Sequence, residues 1–117
     1  MSTPKKRRVL VVEDEVLVAM MLEEMLERLG YEIAATSSHL EEALQLARTA
    51  SFDLAILDIN LNGRPSFPVA DILRERGLPF VFATGYGDKA LDSTHAGTPV
   101  LQKPYSLDDF RRVLAAL

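Results

Sequence analysis

Leu54-Ala55-Ile56-Leu57-Asp58 places a carboxylate directly after four apolar residues near the middle of the chain. A short, uninterrupted apolar run of this kind is typical of a strand buried on both faces of a parallel sheet. Three other apolar runs also end at a charged or hydroxyl side chain. They are Val9 to Val12 before Glu13-Asp14, Phe80 to Ala83 before Thr84, and Val100 to Gln102 before Lys103. Ligand sites in such sheets lie beyond the carboxyl ends of the strands, so these polar side chains are predicted to share one crevice.

Helical patterns separate the apolar runs, and this alternation predicts an α/β fold. The first helix is predicted from Val16 to Leu29, with Gly30 as its left-handed cap. Its core face is expected to carry the apolar residues at helical spacing, namely Leu17, Met20, Met21, Met25 and Leu29. A weaker, more polar strand at a sheet edge is predicted for Tyr31 to Thr36.

The remaining helices are predicted from their capping residues. Ser38 is expected to cap the second helix, with Glu41 completing a capping box, and Ser106 is expected to cap the last helix. Pro68 suits the first turn of the third helix, which Gly77-Leu78-Pro79 is predicted to end.

Right-handed crossovers and helices on both faces leave few possible topologies. The prediction is a flavodoxin-like, doubly wound, five-stranded parallel sheet of order 2-1-3-4-5, formed by one domain over residues 1–117. This order places the first, third, fourth and fifth strands side by side. The candidate side chains therefore converge.

Composition limits the class of protein. The 117 residues suffice for one core, and the absence of cysteine excludes disulfides, thiolate metal sites and a cysteine nucleophile. No apolar run approaches the roughly 20 residues that span a bilayer, so a cytoplasmic protein without membrane contact is expected. The net charge of -4 argues against binding to nucleic acid. We interpret the basic run Lys5 to Arg8 as a solvated terminus, in preference to an import signal or a phosphate-binding arm.

The residues that follow the strands resemble the pattern of receiver domains of bacterial two-component response regulators, over essentially the whole chain. In that family an acidic pair, an aspartate, a threonine or serine, and a lysine follow the first, third, fourth and fifth strands. Glu13-Asp14, Asp58, Thr84 and Lys103-Pro104 occupy these places. The stretch Phe82-Ala83-Thr84-Gly85-Tyr86-Gly87 also resembles the motif of a mostly stand-alone subgroup called FAT GUY.

This resemblance implies that Asp58 accepts a phosphoryl group from a sensor histidine kinase or a phosphotransfer protein. It implies a receiver that assists its own phosphorylation and dephosphorylation, and not an enzyme with a separate substrate. Too little sequence follows Lys103 to form an effector domain, so the expected output is binding of a downstream protein partner. The binding surface is expected around the stretch from the fourth strand to the fifth helix, on a monomer or weak dimer.

The same residues suit Mg²⁺ on chemical grounds, because this ion prefers oxygen ligands in octahedral geometry. Asp14 and Asp58 suit direct ligation, and the backbone carbonyl of Asn60 can supply a third oxygen. Glu13 is longer by one methylene and is expected to hold the ion through water. Clustered carboxylates repel one another, so the ion and Lys103 would keep the cluster ionised.

Asp58 is then expected to act as a carboxylate nucleophile, assisted by positioning and by charge neutralisation from Mg²⁺ and Lys103. Thr84 is expected to donate a hydrogen bond to a phosphate oxygen once the aspartyl phosphate has formed. Lys103 would form a charge-assisted bond with the same group. The predicted catalytic set is Asp58, Thr84 and Lys103.

Two departures from the family pattern affect the predicted switch. Many receivers carry an aromatic residue three positions before the lysine, and this position is Val100 here. The stretch Gly85 to Pro99 is short and glycine-rich, so the fourth helix is expected to be short, displaced or disordered. The signal is therefore expected to be carried by ordering of this stretch instead of by an aromatic rotamer.

Three alternatives stay open. Haloacid-dehalogenase-type phosphatases use a similar set of residues, but their nucleophile follows the first strand, with a second acid two positions later. That later position is Asn60 here, so the general acid of a hydrolase is missing. A pseudo-receiver used only for binding is disfavoured by the complete acidic set. The chain could also be a piece of a longer protein, although Met1 favours a natural start.

Overall fold

A five-stranded parallel sheet forms the centre of the computed structural model, which describes residues 6–84, 98–102 and 106–117. In chain order the strands are β1 (Arg8–Val12), β2 (Glu32–Ser37), β3 (Leu54–Asp58), β4 (Asn60–Leu61), β5 (Arg64–Pro65), β6 (Phe80–Thr84) and β7 (Val100–Gln102). The parallel sheet has the order β2-β1-β3-β6-β7, and β4 and β5 form a separate antiparallel hairpin. The predicted order 2-1-3-4-5 is confirmed, because β6 and β7 are the fourth and fifth strands of the predicted sheet.

Helices cover both faces of the sheet. They are α1 (Val16–Arg28), α2 (Leu40–Thr49), α3 (Phe67–Glu75) and α4 (Leu107–Ala115). Alternate strand residues point to opposite faces, so Leu10 and Val12 pack with α2 and α3 while Val9 and Val11 pack with α1 and α4. The central strand β3 is buried along its whole length. The doubly wound α/β prediction is confirmed.

The helix ends agree with the predictions at three positions and disagree with them at one. Ser106 Oγ accepts a hydrogen bond from the Asp109 N–H at 3.1 Å, Pro68 lies in the first turn of α3, and Gly30 after α1 has a φ of 91°. The predicted Ser38 cap is wrong. His39 is the residue before α2 and makes no side-chain cap. The neighbouring Ser37 Oγ instead donates to the His39 carbonyl at 3.1 Å.

The predicted core face of α1 is also wrong. Leu17, Met20 and Met21 are 81%, 59% and 41% exposed, and the helix instead buries Ala19, Leu22 and Leu26. The first two turns of α1 carry apolar residues all round the helix, so hydrophobic spacing alone does not determine which side faces the sheet. Of the five residues expected to form the core face, Met25 and Leu29 do pack against the core.

Strand β2 lies at one edge of the sheet and is irregular. It pairs with β1 in parallel, and the register shifts between Val9 and Leu10, whose partners are Ile33 and Ala35. Ala34 is therefore an extra residue in β2 with no partner in the β1 register, as in a β-bulge.

The basic run at the start of the chain makes contacts where the structure describes it. Arg7 Nη1 donates to the Leu117 carbonyl at 3.4 Å, and the Arg8 backbone N–H donates to Asp53 Oδ2 at 2.7 Å. Arg8 also forms an ion pair with Glu32 at 3.4 Å. The side chains of both arginines stay partly exposed, so the interpretation as a solvated terminus remains a prediction.

Several predicted features lie outside the described residues. They are Lys103, the part of the FAT GUY motif that begins at Gly85, and most of the stretch predicted to hold the fourth helix. None of the helices in the described ranges is long and apolar enough to cross a lipid bilayer.

Candidate functional site

Three predicted carboxylates meet at the carboxyl edge of the parallel sheet. Glu13 and Asp14 follow β1 directly, and Asp58 is the last residue of the neighbouring strand β3. The two strands pair with Val12 opposite Leu57, so their ends are level. Each carboxylate offers an oxygen, and these oxygens lie within 4.8 Å of one another. The structure therefore brings Glu13, Asp14 and Asp58 into one cluster.

Burial makes it costly to keep the carboxylates of this cluster ionised. Glu13 is 1% exposed and Asp58 is 7% exposed, whereas Asp14 is only partly buried. Ionised carboxylates with little access to water are costly unless they are paired, hydrogen-bonded or bound to a cation. Adjacent negative charges add to this cost. A cation at the cluster would offset both effects.

Backbone amides supply part of the compensation. The Glu15 N–H donates to Glu13 Oε1 at 3.3 Å, and the Asn60 N–H donates to Asp58 Oδ1 at 3.3 Å. Asp14 Oδ2 accepts from the Asn62 N–H at 3.0 Å. Hydrogen bonds of this kind stabilise an ionised carboxylate and restrict its orientation.

The β4–β5 hairpin beside the cluster was missed in the sequence analysis. Its turn consists of Asn62 and Gly63, with φ angles of 53° and 84°, and the Gly63 N–H donates to Asn60 Oδ1 at 2.7 Å. The dipeptide Asn-Gly is a strong signal for a two-residue hairpin turn and could have revealed it. The site residue Asn60 is exposed and belongs to this hairpin.

The hairpin also contacts helix α2. Arg64 Nη1 donates to Glu41 Oε1 and forms an ion pair with it on the surface. This hydrogen bond from Arg64 is the main reason why the pKa of Glu41 lies below its ordinary value. The glutamate that was expected to complete a capping box thus holds the hairpin instead.

Thr84 lies at the same edge of the sheet. It is the last residue of β6 and is 3% exposed, and the preceding Ala83 pairs with Asp58 of β3. On its other side Thr84 pairs with Gln102 of β7, the residue directly before Lys103 in the sequence. The described residues therefore place Thr84 with the carboxylates, while the predicted role of Lys103 is not tested.

The donor set at this edge fits a hard divalent cation. Carboxylate oxygens from three residues are the kind of ligands that Mg²⁺ prefers. The two buried carboxylates would also gain most from its charge. Glu13, Asp14 and Asp58 could therefore hold Mg²⁺, and ligation by the Asn60 carbonyl stays a prediction.

Comparison with known proteins agrees with this geometry. Residues 9–115 match the family model of the response regulator receiver domain. The solution structure of SdrG from Sphingomonas melonis Fr1 is similar, with a TM-score of 0.85 and 46% identity over 95% of both chains. The BeF3-activated conformation of SdrG from Pseudomonas melonis Fr1 has a TM-score of 0.80 and 45% identity over 93% of both chains.

A curated relative extends the similarity to a longer protein. The transcriptional regulatory protein PdtaR of Mycobacterium tuberculosis is 37% identical over 107 residues, which cover 88% of this chain and 52% of PdtaR. The chain thus spans about half the length of that relative.

Proposed function

This chain belongs to the response regulator receiver domain family, and from that premise we propose that Asp58 accepts a phosphoryl group from a sensor histidine kinase or a phosphotransfer protein. The observation that carries the proposal is the position of Asp58. It ends the central strand of the sheet, and its carboxylate lies within 4.8 Å of those of Glu13 and Asp14. SdrG, which is similar over nearly its whole length, has a BeF3-activated conformation, and this supports phosphorylation as the natural signal.

The transfer is a displacement at phosphorus. One carboxylate oxygen of Asp58 attacks the phosphorus atom of a phosphohistidine on the donor, and an O–P bond forms as the N–P bond breaks. The imidazole nitrogen of the donor keeps the electron pair and takes up a proton. The backbone N–H of Asn60, which donates to Asp58 Oδ1, restricts the carboxylate before the attack.

Asp14, Asp58 and the carbonyl of Asn60 would hold Mg²⁺ directly, with Glu13 acting through water. When bound, this ion neutralises charge that develops on the transferred phosphoryl oxygens. Thr84 ends the neighbouring strand β6, and we propose that its hydroxyl donates to a phosphate oxygen. Lys103 follows in sequence the residue paired with Thr84, and we propose it as the cationic partner of the phosphoryl group.

The phosphodonor is proposed to contact the exposed side of α1. The first two turns of α1 begin two residues after Asp14 and carry four exposed apolar residues. They are Val16, Leu17, Met20 and Met21, which are 70%, 81%, 59% and 41% exposed. Neighbouring apolar residues that are exposed to solvent in this way commonly mark a site where another protein binds. Their position next to Asp14 in the chain suits a protein that must deliver a group to the cluster.

The readout of phosphorylation is proposed to be a changed surface for a downstream protein partner. Val100, which replaces the usual aromatic residue, is partly buried and packs against the core cluster on the α2 and α3 face. An aliphatic side chain packed in this way has no ring to swing between the surface and the interior. We therefore propose that the signal is carried by ordering of the stretch from Gly85 to Pro99, and this readout stays a prediction.

The proposal is tested by labelling with radioactive acetyl phosphate and with a phosphorylated histidine donor. The native chain should take up one phosphoryl group, and Asp58→Asn should take up none, because the amide is a poor nucleophile. Asp53→Asn is a matched control, since Asp53 is an exposed aspartate at the opposite end of the same strand and binds the Arg8 amide. Labelling of Asp58→Asn at another residue would contradict the assignment, and steady turnover of a phosphate ester would favour a hydrolase.

A further inference from the structure

We propose that the Asn62-Gly63 turn of the β4–β5 hairpin positions Asp14 as a metal ligand. The inference rests on the Mg²⁺ site proposed above and adds residues that are not themselves ligands. Asn62 and Gly63 act through their backbone, so they are positioning residues. Their function would be to hold one carboxylate of the cluster in a productive orientation.

Asp14 is the carboxylate of the cluster that most needs such support. Glu13 and Asp58 are enclosed by the fold, with 1% and 7% exposure, whereas Asp14 is partly exposed and lies just past the end of β1. Surrounding side chains therefore restrict Asp14 least. Within the described residues, the hydrogen bond that its carboxylate accepts comes from the Asn62 N–H at 3.0 Å.

The donating amide is aimed by an unusual backbone conformation. Asn62 and Gly63 both have positive φ angles, 53° and 84°, as in the two-residue turns that match the twist of paired strands. Asparagine and glycine adopt this conformation more readily than other residues. The turn is closed from inside by the Gly63 N–H, which donates to Asn60 Oδ1 at 2.7 Å.

This arrangement suits a carboxylate ligand, because one oxygen of Asp14 is held by the turn while the other can bind the metal ion. Asp14 Oδ2 is engaged by the turn, and Oδ1 accepts no hydrogen bond from the described residues, so Oδ1 can bind a cation while the orienting hydrogen bond is kept. Ligating carboxylates are commonly fixed by such outer hydrogen bonds, and loss of one costs about 10-fold to 100-fold in metal affinity. The hairpin would thus raise affinity without contributing charge.

The test compares two glycine substitutions that impose the same kind of strain. Gly63→Ala and Gly77→Ala both put a side chain on a residue with positive φ, 84° and 70°, and at both positions the added Cβ meets no atom within 4 Å. Gly77 lies after α3, and its substitution should strain the backbone without affecting the hairpin. Mg²⁺ is titrated into each folded protein, and binding is followed by amide chemical shifts and by calorimetry.

We expect Gly63→Ala to weaken Mg²⁺ binding by about 10-fold, in line with the loss of an orienting hydrogen bond, and Gly77→Ala to bind as the native chain does. Both variants should melt at a lower temperature. Equal affinity in all three proteins, or an equal loss in both variants, would overturn the inference. If the native chain itself binds no Mg²⁺, the proposed metal site fails instead.

A second pair of variants at Asn62 keeps the test informative if Gly63→Ala does not fold. Asn62→Gly retains the amide and the positive φ, so its Mg²⁺ affinity should equal that of the native chain. Asn62→Val retains the amide but disfavours the positive φ, so its affinity should fall by about 10-fold. Equal affinity of these two variants would contradict the positioning role.

Discussion

Two buried serines are expected to have opposite effects on stability. Ser66 is fully buried at the start of α3, and its Oγ finds no hydrogen-bond partner among the described residues. Ser37 is 1% exposed, and its Oγ donates to the His39 carbonyl at 3.1 Å. A buried hydroxyl stabilises the fold only when its hydrogen bonds are made.

Ser66→Ala should therefore leave the free energy of unfolding unchanged or raise it by up to about 1 kcal/mol. Ser37→Ala should lower it by about 1 kcal/mol, because the His39 backbone loses a partner. Urea denaturation of the two variants and the native chain measures both effects. A loss of about 1 kcal/mol or more in Ser66→Ala would show that its hydroxyl is satisfied in solution.

The positions of Asp58 and Thr84 at the ends of strands could be predicted because each follows an apolar run. The parallel sheet brings both residues to one edge, and their roles in phosphoryl transfer stay predictions. The contact between Asp14 and Asn62 could not be predicted, since it joins residues 48 positions apart through a backbone amide. The Asn-Gly dipeptide indicates the turn, but it does not indicate which carboxylate the backbone amide meets.

At the scale of single elements, α4 depends on its cap and α2 does not. Ser106 Oγ accepts the Asp109 N–H at 3.1 Å, whereas α2 begins without a side-chain cap. Ser106→Ala should lower the free energy of unfolding by about 1 kcal/mol, the usual cost of losing an N-cap. Ser38→Ala should change it by less than about 0.5 kcal/mol, because Ser38 does not cap α2. Chemical denaturation checks the difference, and equal losses would contradict it.

The link between the hairpin and α2 can be measured through the titration of Glu41. Arg64 lowers the pKa of Glu41, so Arg64→Gln should raise that pKa toward its ordinary value. A lowered carboxyl pKa stabilises the fold above the unfolded pKa, and this contribution is lost as the pH falls through the folded value. The pair is on the surface, so any effect on stability should be small. Carboxyl chemical shifts over acidic pH measure the change, and an unaltered pKa would show that the pair is not populated.

The orientation of α1 shows that hydrophobic periodicity alone does not decide which face of a helix is buried. Leu17 and Met20 have the spacing of a core face, but so do Ala19 and Leu22. The sheet selects the second set, because Leu22 and Leu26 reach its core cluster. Leu17 and Met20 therefore remain at the surface, where packing of the core does not explain them.

At the scale of the whole molecule, the exposed apolar residues of α1 should control phosphotransfer from a protein donor. Leu17→Glu should slow transfer from a phosphorylated histidine protein by about tenfold or more, since it places a charge in the proposed contact. Labelling by acetyl phosphate should be unchanged, because a small donor does not need that surface. Gln45→Glu on the exposed side of α2 is a control with the same added charge. Equal slowing with both donors would place the effect at the acidic cluster instead.

The sheet order could be predicted because few right-handed arrangements exist for five strands joined by helices. The hairpin after β3 could not be predicted from periodicity, since its strands have two residues each. The lysine of the predicted site follows β7, which has three residues and lies at a sheet edge. Lys103 was predicted from this short run, but it lies outside the described residues, so its position stays a prediction.

The extra residue at Ala34 bears on solubility. An exposed edge strand offers unpaired backbone groups to which another chain can add, and a regular edge is the best template for that addition. The register shift beside Ala34 interrupts the template in the middle of β2, and charged Glu32 lies near its start. Concentrated receiver should therefore resist polymerisation through this edge, which leaves its helical surfaces available for signalling contacts.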